Sequence, residues 1–258
     1  MIDTPCLRAR HAVAEFLGTT FLLIAVVGSG IAAQRLSPGD VGLQLLENAG
    51  VTGAALIAII LAFGPVSGAH MNPVVTLTDA ILGGTPWDEV PAYLAAQLAG
   101  GVLGTVMANL MFGLSAISIS THQRSGTGLW LGEVVATFGL LATIYGVVRS
   151  GRSGVAPFAV GAYITGAYWF TSSTSFANPA VTIARTLSDS FAGIAPPGVP
   201  LFILMQFVGG GLGLMAIRFL YPSLAVDEEV IVPHDHDGSG HERLASPALS
   251  RRFGHGAT

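Results

Sequence analysis

Two segments hold the residues best placed to act on a small polar molecule. They are Ser67-Gly-Ala-His-Met-Asn-Pro-Val-Val-Thr76 and Ser175-Phe-Ala-Asn-Pro-Ala-Val-Thr182, with Asn72-Pro73-Val74 and Asn178-Pro179-Ala180 at their centres, 106 residues apart. An Asn side chain caps free backbone N–H groups at a helix start, and Pro at the first helical position loses nothing by lacking its own N–H. Each copy lies between long apolar runs, so the pattern predicts two short helices that begin inside a membrane. Polar backbone at that depth is tolerated only where it is buried in protein or lines a water-filled path. The chemistry on offer is hydrogen bonding and helix dipoles, because the chain carries no nucleophile–base set, phosphate loop or nucleotide fingerprint, and no cofactor or resident metal is expected.

The elements that must position these segments are apolar. The chain is 51% hydrophobic and 10% charged, with mean hydropathy +0.65, the composition of a polytopic membrane protein. Six runs reach the roughly 20 residues needed to cross about 30 Å of hydrocarbon: about 11–33, 44–63, 91–113, 128–148, 154–171 and 199–221. The first is a span rather than a cleaved signal, since it is long, contains Glu15 and lacks a small-residue cleavage site. Cys6 is the single cysteine, so no internal disulfide forms. A net charge of −4 gives no argument for a nucleic-acid partner.

Three landmarks recur in order in each half: Ala14-Glu15-Phe16 and Gly132-Glu133-Val134, the Asn-Pro segments, and Gln97-Leu-Ala-Gly-Gly-Val-Leu-Gly104 and Gln206-Phe-Val-Gly-Gly-Gly-Leu-Gly213. Their offsets of 118, 106 and 109 residues describe a repeat with small insertions. Three spans per half is an odd number, so the second half enters with opposite polarity. Inverted repeats of this kind place paired broken-helix ends near the bilayer midplane, where two positive helix ends, about half a charge each, repel cations. The fold class expected is an all-α membrane protein of six transmembrane helices plus two re-entrant half-helices. The pore domain covers 1–223, with repeat one at about 10–114 and repeat two at about 128–222. Residues 224–258 read as a disordered cytoplasmic tail, whose His234-Asp-His236-Asp237 cluster has donor types that suit a divalent metal but spacing that does not specify one.

Membrane-depth acids are costly and face the protein interior, so Glu15 and Glu133 are expected to accept hydrogen bonds from the loop backbone leading into each Asn-Pro helix. The paired glycine clusters serve close helix packing. With the N-terminus in the cytoplasm, Arg8, Arg10, Arg149, Arg152, Arg218, Arg243, Arg251 and Arg252 lie inside and Arg35, Arg124 and Arg185 outside, which favours both termini in the cytoplasm. His70 is either a loop anchor or a pH-sensitive wall residue.

The motifs AEFLGT, SGAHMNPVVT and FANPAVT resemble the aquaporin and aquaglyceroporin (major intrinsic protein) family over about residues 10–222. The resemblance implies a homotetramer with one pore per subunit in the cell membrane, Asn72 and Asn178 donating to permeating molecules, and a narrow filter at four positions. Counted from the motifs, these are Thr52, Gly166, Ser175 and Val181. Most similar proteins carry Arg where Val181 stands, and this chain has neither the His nor the aromatic of standard filters. That departure resembles the bacterial branch associated with arsenic-resistance operons, which implies neutral metalloid hydroxides such as arsenite as cargo beside water and glycerol-like polyols. Arg185, one turn beyond Val181, either reaches the vestibule or pairs with Asp189 or loop carbonyls. A competing reading is an ion- or proton-coupled secondary transporter, since inverted repeats with broken helices also mark that class.

Overall fold

The computed structural model describes residues 4–222, and the described residues form helices and connecting loops without strands. The tail from residue 224, with its His234–Asp237 cluster, lies outside the described residues. Helix α1 runs Thr4–Leu36, α2 Val41–Ser67, α3 Pro73–Leu82, α4 Val90–Met111, α5 Thr127–Arg149, α6 Ala156–Phe170, α7 Pro179–Ala184 and α8 Val199–Leu220. Helices satisfy their backbone polar groups internally within lipid, and the sequence marks where they begin. The Asp40 carboxylate accepts from Leu43 N at 2.9 Å to start α2, while α4, α6 and α8 each open with Pro in the first turn, where its missing N–H is harmless.

Five helices, α1, α2, α4, α5 and α8, are long and apolar enough to cross a bilayer. The sixth expected span, 154–171, is shorter. A 3-10 turn at Ser153–Val155 leads into a helix of 15 residues, about 22 Å long at 1.5 Å per residue. Pro157 sets its start, and the backbone turns extended at Thr171 to enter the second re-entrant loop. The two Asn-Pro segments start the short helices α3 and α7, of 10 and six residues.

The packing follows the repeat. Helix α1 lies against α2 and α4, and α5 lies against α6 and α8. Helix α2 crosses α6, α3 packs on α4 and α8, α7 packs on α8 and α4, and the two short helices meet each other. Exchanging the halves maps this set onto itself. Small residues make the crossings possible: a Cβ on Gly100 or Gly104 would collide with the carbonyl oxygens of Phe16 or Thr20, and a Cβ on Gly209 with that of Val134. Gly53 and Gly161 play the same part where α2 meets α6, each facing the other's carbonyl.

Two buried acids tie the loops to this frame. Glu15 Oε1 accepts from Ser67 Oγ (2.7 Å) and His70 N (2.9 Å), and its Oε2 accepts from Met71 N (2.6 Å) and Gln97 Nε2 (2.7 Å). In the other half, Glu133 Oε1 accepts from Phe176 N (3.0 Å), and its Oε2 from Ala177 N (2.9 Å) and Gln206 Nε2 (2.6 Å). The glutamines also donate to Thr76 and Thr182 on the short helices, at 2.9 and 2.8 Å. Each Glu–Gln–Thr set thus spans a long helix, a loop, a half-helix and the last helix of its repeat.

Removing such an acid strands several buried donors, each costing about 1–3 kcal/mol. Glu15→Ala and Glu133→Ala are therefore expected to lower the melting temperature of detergent-solubilised protein by more than 10 °C or to abolish folding. Thr121→Ala, at an exposed loop contact, shifts it by less than 3 °C. Equal shifts for all three would contradict the bracing role of the acids.

Candidate pore and outer rim

The re-entrant loops are backbone-strained in matching places. Ala69 and Met71 have φ of 50° and 47°, and their counterparts Ser175 and Ala177 both have 49°, a left-handed conformation that costs non-glycine residues of order 1–3 kcal/mol each. The N–H groups of His70, Met71, Phe176 and Ala177 that this conformation exposes are those held by Glu15 and Glu133. The acids offset the strain, and the loops deliver the two asparagines to one point.

There each Asn does three things. Asn72 Oδ1 accepts from Val74 N at 3.0 Å, and Asn178 Oδ1 accepts from Ala180 N and Val181 N at 3.0 and 3.2 Å, so both cap their helices. Asn72 Nδ2 donates to the Ala177 carbonyl at 2.8 Å, and Asn178 Nδ2 to the Met71 carbonyl at 2.7 Å, so each grips the opposite loop. Because an amide carries two N–H groups, one donor on each remains, and both asparagines line a central cavity. Pro73, Val74, Pro179 and Ala180 are buried in the short helices; their part is to start and pack those helices, and none of the four lines the cavity.

The cavity holds about 60 Å³, room for roughly four to six waters in file at 10–15 Å³ each. Its wall is apolar and repeats between halves: Leu22 and Val26 of α1 answer Leu140 and Ile144 of α5, and Leu56 of α2 answers Ile164 of α6. Polar groups gather at the central asparagines and at the two ends. At the end where α1 begins stands His70, with Nδ1 3.2 Å from Thr76 Oγ1, Nε2 3.6 Å from Asp79 Oδ2, and the Tyr93 ring 5.3 Å away. It is an anchored side chain that also forms part of the wall.

At the opposite end three of the four positions counted from the motifs, Thr52, Ser175 and Val181, line the cavity, and Gly166 does not. The reason is helical periodicity. Val160, Ile164 and Tyr168 face the lumen at four-residue spacing, and residue 166 lies about 200° around the helix from either neighbour. A Cβ on Gly166 would meet the Phe170 ring instead, at 3.5 Å. The residue α6 contributes at the level of Thr52 is Tyr168, whose hydroxyl is 3.3 Å from Thr52 Oγ1. A count from the second motif carries no helical phase, whereas the i, i+4 series of bulky residues Val160, Ile164 and Tyr168 marks the cavity face of α6.

Arg185 is 1% exposed and also lines the cavity. Its Nε donates to the Ala192 carbonyl, and its guanidinium stacks on the Phe176 ring at 3.4 Å. Asp189 is engaged elsewhere, accepting from Thr121 N at 2.9 Å. Arg124, from the loop before α5, lies over the same Phe176 ring at 5.1 Å and donates to the Gly193 and Phe191 carbonyls at 2.8 and 3.1 Å. Burial lowers Arg124 to about 10, which leaves it charged at neutral pH. Burial first, then Arg124 and Arg185, holds His122 below its ordinary value, so it is neutral there. Among the described residues neither arginine forms an ion pair with a carboxylate, so this mouth is electropositive.

A family model described as Major intrinsic protein matches residues 4–176. The chain is 47% identical over 211 residues to an aquaglyceroporin, AqpS, of Rhizobium meliloti (strain 1021), covering 82% of this chain and 90% of the relative. It is 31% identical to aquaporin AqpM of Methanothermobacter marburgensis, covering 82% and 97%. Among solved structures, the aquaglyceroporin from Plasmodium falciparum superposes with a TM-score of 0.62 at 22% identity, covering 84% of this chain and 96% of that one, a likeness of fold. With a doubled Asn-Pro centre, an inverted helical repeat and these relatives, the chain belongs to the major intrinsic protein family and is a multi-pass membrane channel for small solutes, not an enzyme.

Proposed function

We propose that the chain conducts small neutral solutes with several hydroxyl groups, such as glycerol-like polyols and neutral metalloid hydroxides including arsenite, with water passing beside them. The observation that carries this reading is the side chain of Val181 in the lumen one turn into α7. An aliphatic group there neither spans the pore nor donates to a permeant, so more lumen is open at its level than a guanidinium would leave. Thr52 and Ser175 supply hydroxyls, and the Ser175 Oγ is buried without a partner, a free donor and acceptor for a solute hydroxyl. The relative named an aquaglyceroporin accords with a permeant larger than water.

Water conducted in file would carry protons along its hydrogen-bond chain unless that chain were interrupted. The one remaining amide donor on each Asn orients water oxygens toward the centre, and the two half-helix N-termini make a protonated water unfavourable there. The coupled-transporter reading finds little support. Coupling needs a titratable group on the permeation path, and among the described residues the cavity wall offers only His70, Tyr168 and Arg185, the first already bound to Thr76 and Asp79. On this reading the chain works as a homotetramer in the cell membrane with both termini in the cytoplasm, which puts the Arg8–Asp88 pair at 2.5 Å on the inner face and Arg124 and Arg185 on the outer.

Stopped-flow measurements on proteoliposomes test this. Wild type is expected to pass water, glycerol and arsenite at rates that do not saturate at millimolar concentration and do not change on addition of an uncoupler; collapse with the uncoupler would support a transporter instead. Val181→Arg is expected to cut glycerol and arsenite flux at least tenfold while water flux falls less than threefold. Undiminished passage of the larger solutes in that variant would remove Val181 from the filter.

A further inference from the structure

We infer that Tyr168 and Arg185 together form the selectivity ring of this channel, the phenol setting the size limit in place of residue 166 and the guanidinium supplying the positive charge that position 181 lacks. This rests on the channel reading above and goes beyond it by assigning which side chains discriminate. Three elements converge on one level of the lumen. Thr52 comes from α2, Tyr168 from α6, and Arg185 from the 3-10 turn Arg185–Leu187 that follows α7. The Tyr168 hydroxyl lies 3.3 Å from Thr52 Oγ1, with either able to donate, and the Arg185 guanidinium, which can only donate, lines the same cavity. The phenol is thereby held against α2.

The close crossing of α2 and α6 sets the ring's span. Gly53 and Gly161 allow that approach, and a Cβ on Gly53 would overlap Thr165, on the same helix as Tyr168. The guanidinium is held just as firmly, by the Ala192 carbonyl and the face of Phe176. With no carboxylate paired to it among the described residues, its charge is directed at the lumen, a barrier to cations of the kind that pore-lining arginines provide. Ser175 Oγ, buried and unpartnered, is the ring member left for the permeant. A solute hydroxyl that bonds Ser175 must pass the edge of the Tyr168 ring, so size and hydroxyl placement are read together.

Substituted cysteines locate the ring directly, because Cys6 is the chain's single cysteine and is exposed. In a Cys6→Ser background, Tyr168→Cys and Gly166→Cys proteins are reconstituted and treated on both sides with a small methanethiosulfonate reagent, labelling is followed by mass, and glycerol flux is read. We expect labelling at 168 to reduce flux at least fivefold and treatment of the 166 variant to leave it within twofold of untreated. A position 168 that does not label, or that labels without loss of flux, overturns the assignment, as does block from position 166.

Tyr168→Phe, which keeps the ring and deletes only the hydroxyl, is expected to change the water-to-glycerol permeability ratio at least twofold. Arg185→Gln is expected to raise methylammonium flux relative to glycerol at least fivefold. An unchanged ratio in the first variant overturns the role given to Tyr168, and an unchanged cation leak in the second overturns that given to Arg185, even if the cysteine variants fail to fold. Absence of any solute flux in wild type would instead sink the channel reading, so the two failures are distinguishable.

Discussion

Everything at the pore centre depends on two carboxyl groups accepting backbone N–H bonds in a region that offers no water. Without Glu15 and Glu133 the loops carrying His70-Met71 and Phe176-Ala177 would hold unpaired donors and left-handed residues at membrane depth, a combination of desolvation and strain that no neighbouring apolar contact offsets. With them the loops are fixed to α1 and α5, and through Gln97 and Gln206 to α4 and α8. The glycines of those helices permit the approach that lets the acids reach. Packing and hydrogen bonding are thus one device: a larger residue at Gly100 would push α1 and α4 apart and pull Glu15 away from its donors.

The two halves match closely at the centre and diverge at one end. Glutamates, glutamines, threonines, asparagines and positive-φ residues all have partners in the other repeat. The groups that gather at the far mouth are Tyr168 near the end of α6, Arg185 on the 3-10 turn after α7 and Arg124 in the loop before α5, and none of them has a matching residue type in the other repeat. A symmetric centre suits a task that is the same for a molecule arriving from either side, which is to keep a file of permeants hydrogen-bonded. Discrimination is needed at only one level, and the selectivity ring proposed above assigns it to side chains that break the repeat.

Much of this was legible in the sequence because the membrane restricts the choices. The repeat, the capped half-helices, the buried acids and the packing glycines each follow from residue types whose physical role at that depth is nearly unique. The rim was less legible. Counting a fixed distance back from Asn178 reaches Gly166, which does not line the cavity, because such a count carries no helical phase and two residues turn a side chain to the opposite face. Arg185 was visible as a neighbour of Val181, with alternatives open between the vestibule and a partner; the structure gives it loop carbonyl, aromatic face and lumen at once. The sixth span ends where the polar run Thr171-Ser-Ser-Thr-Ser175 begins, and it is shorter as an α-helix because its first residues form a 3-10 turn before Pro157.

The reciprocal grip of the asparagines has a consequence for how such a protein diversifies. Because Asn72 holds the Ala177 carbonyl and Asn178 holds that of Met71, neither loop can drift without dragging the other, and a change to one half's centre is a change to both. The centre is therefore closed to gradual revision. The rim has no such reciprocity: its groups belong to three separate elements, and Val181 in particular forms no side-chain hydrogen bond whose loss would unfold anything. Mutation can explore new cargo at the mouth while the keystone stays untouched, so a lineage can exchange what it admits without reinventing the conduit.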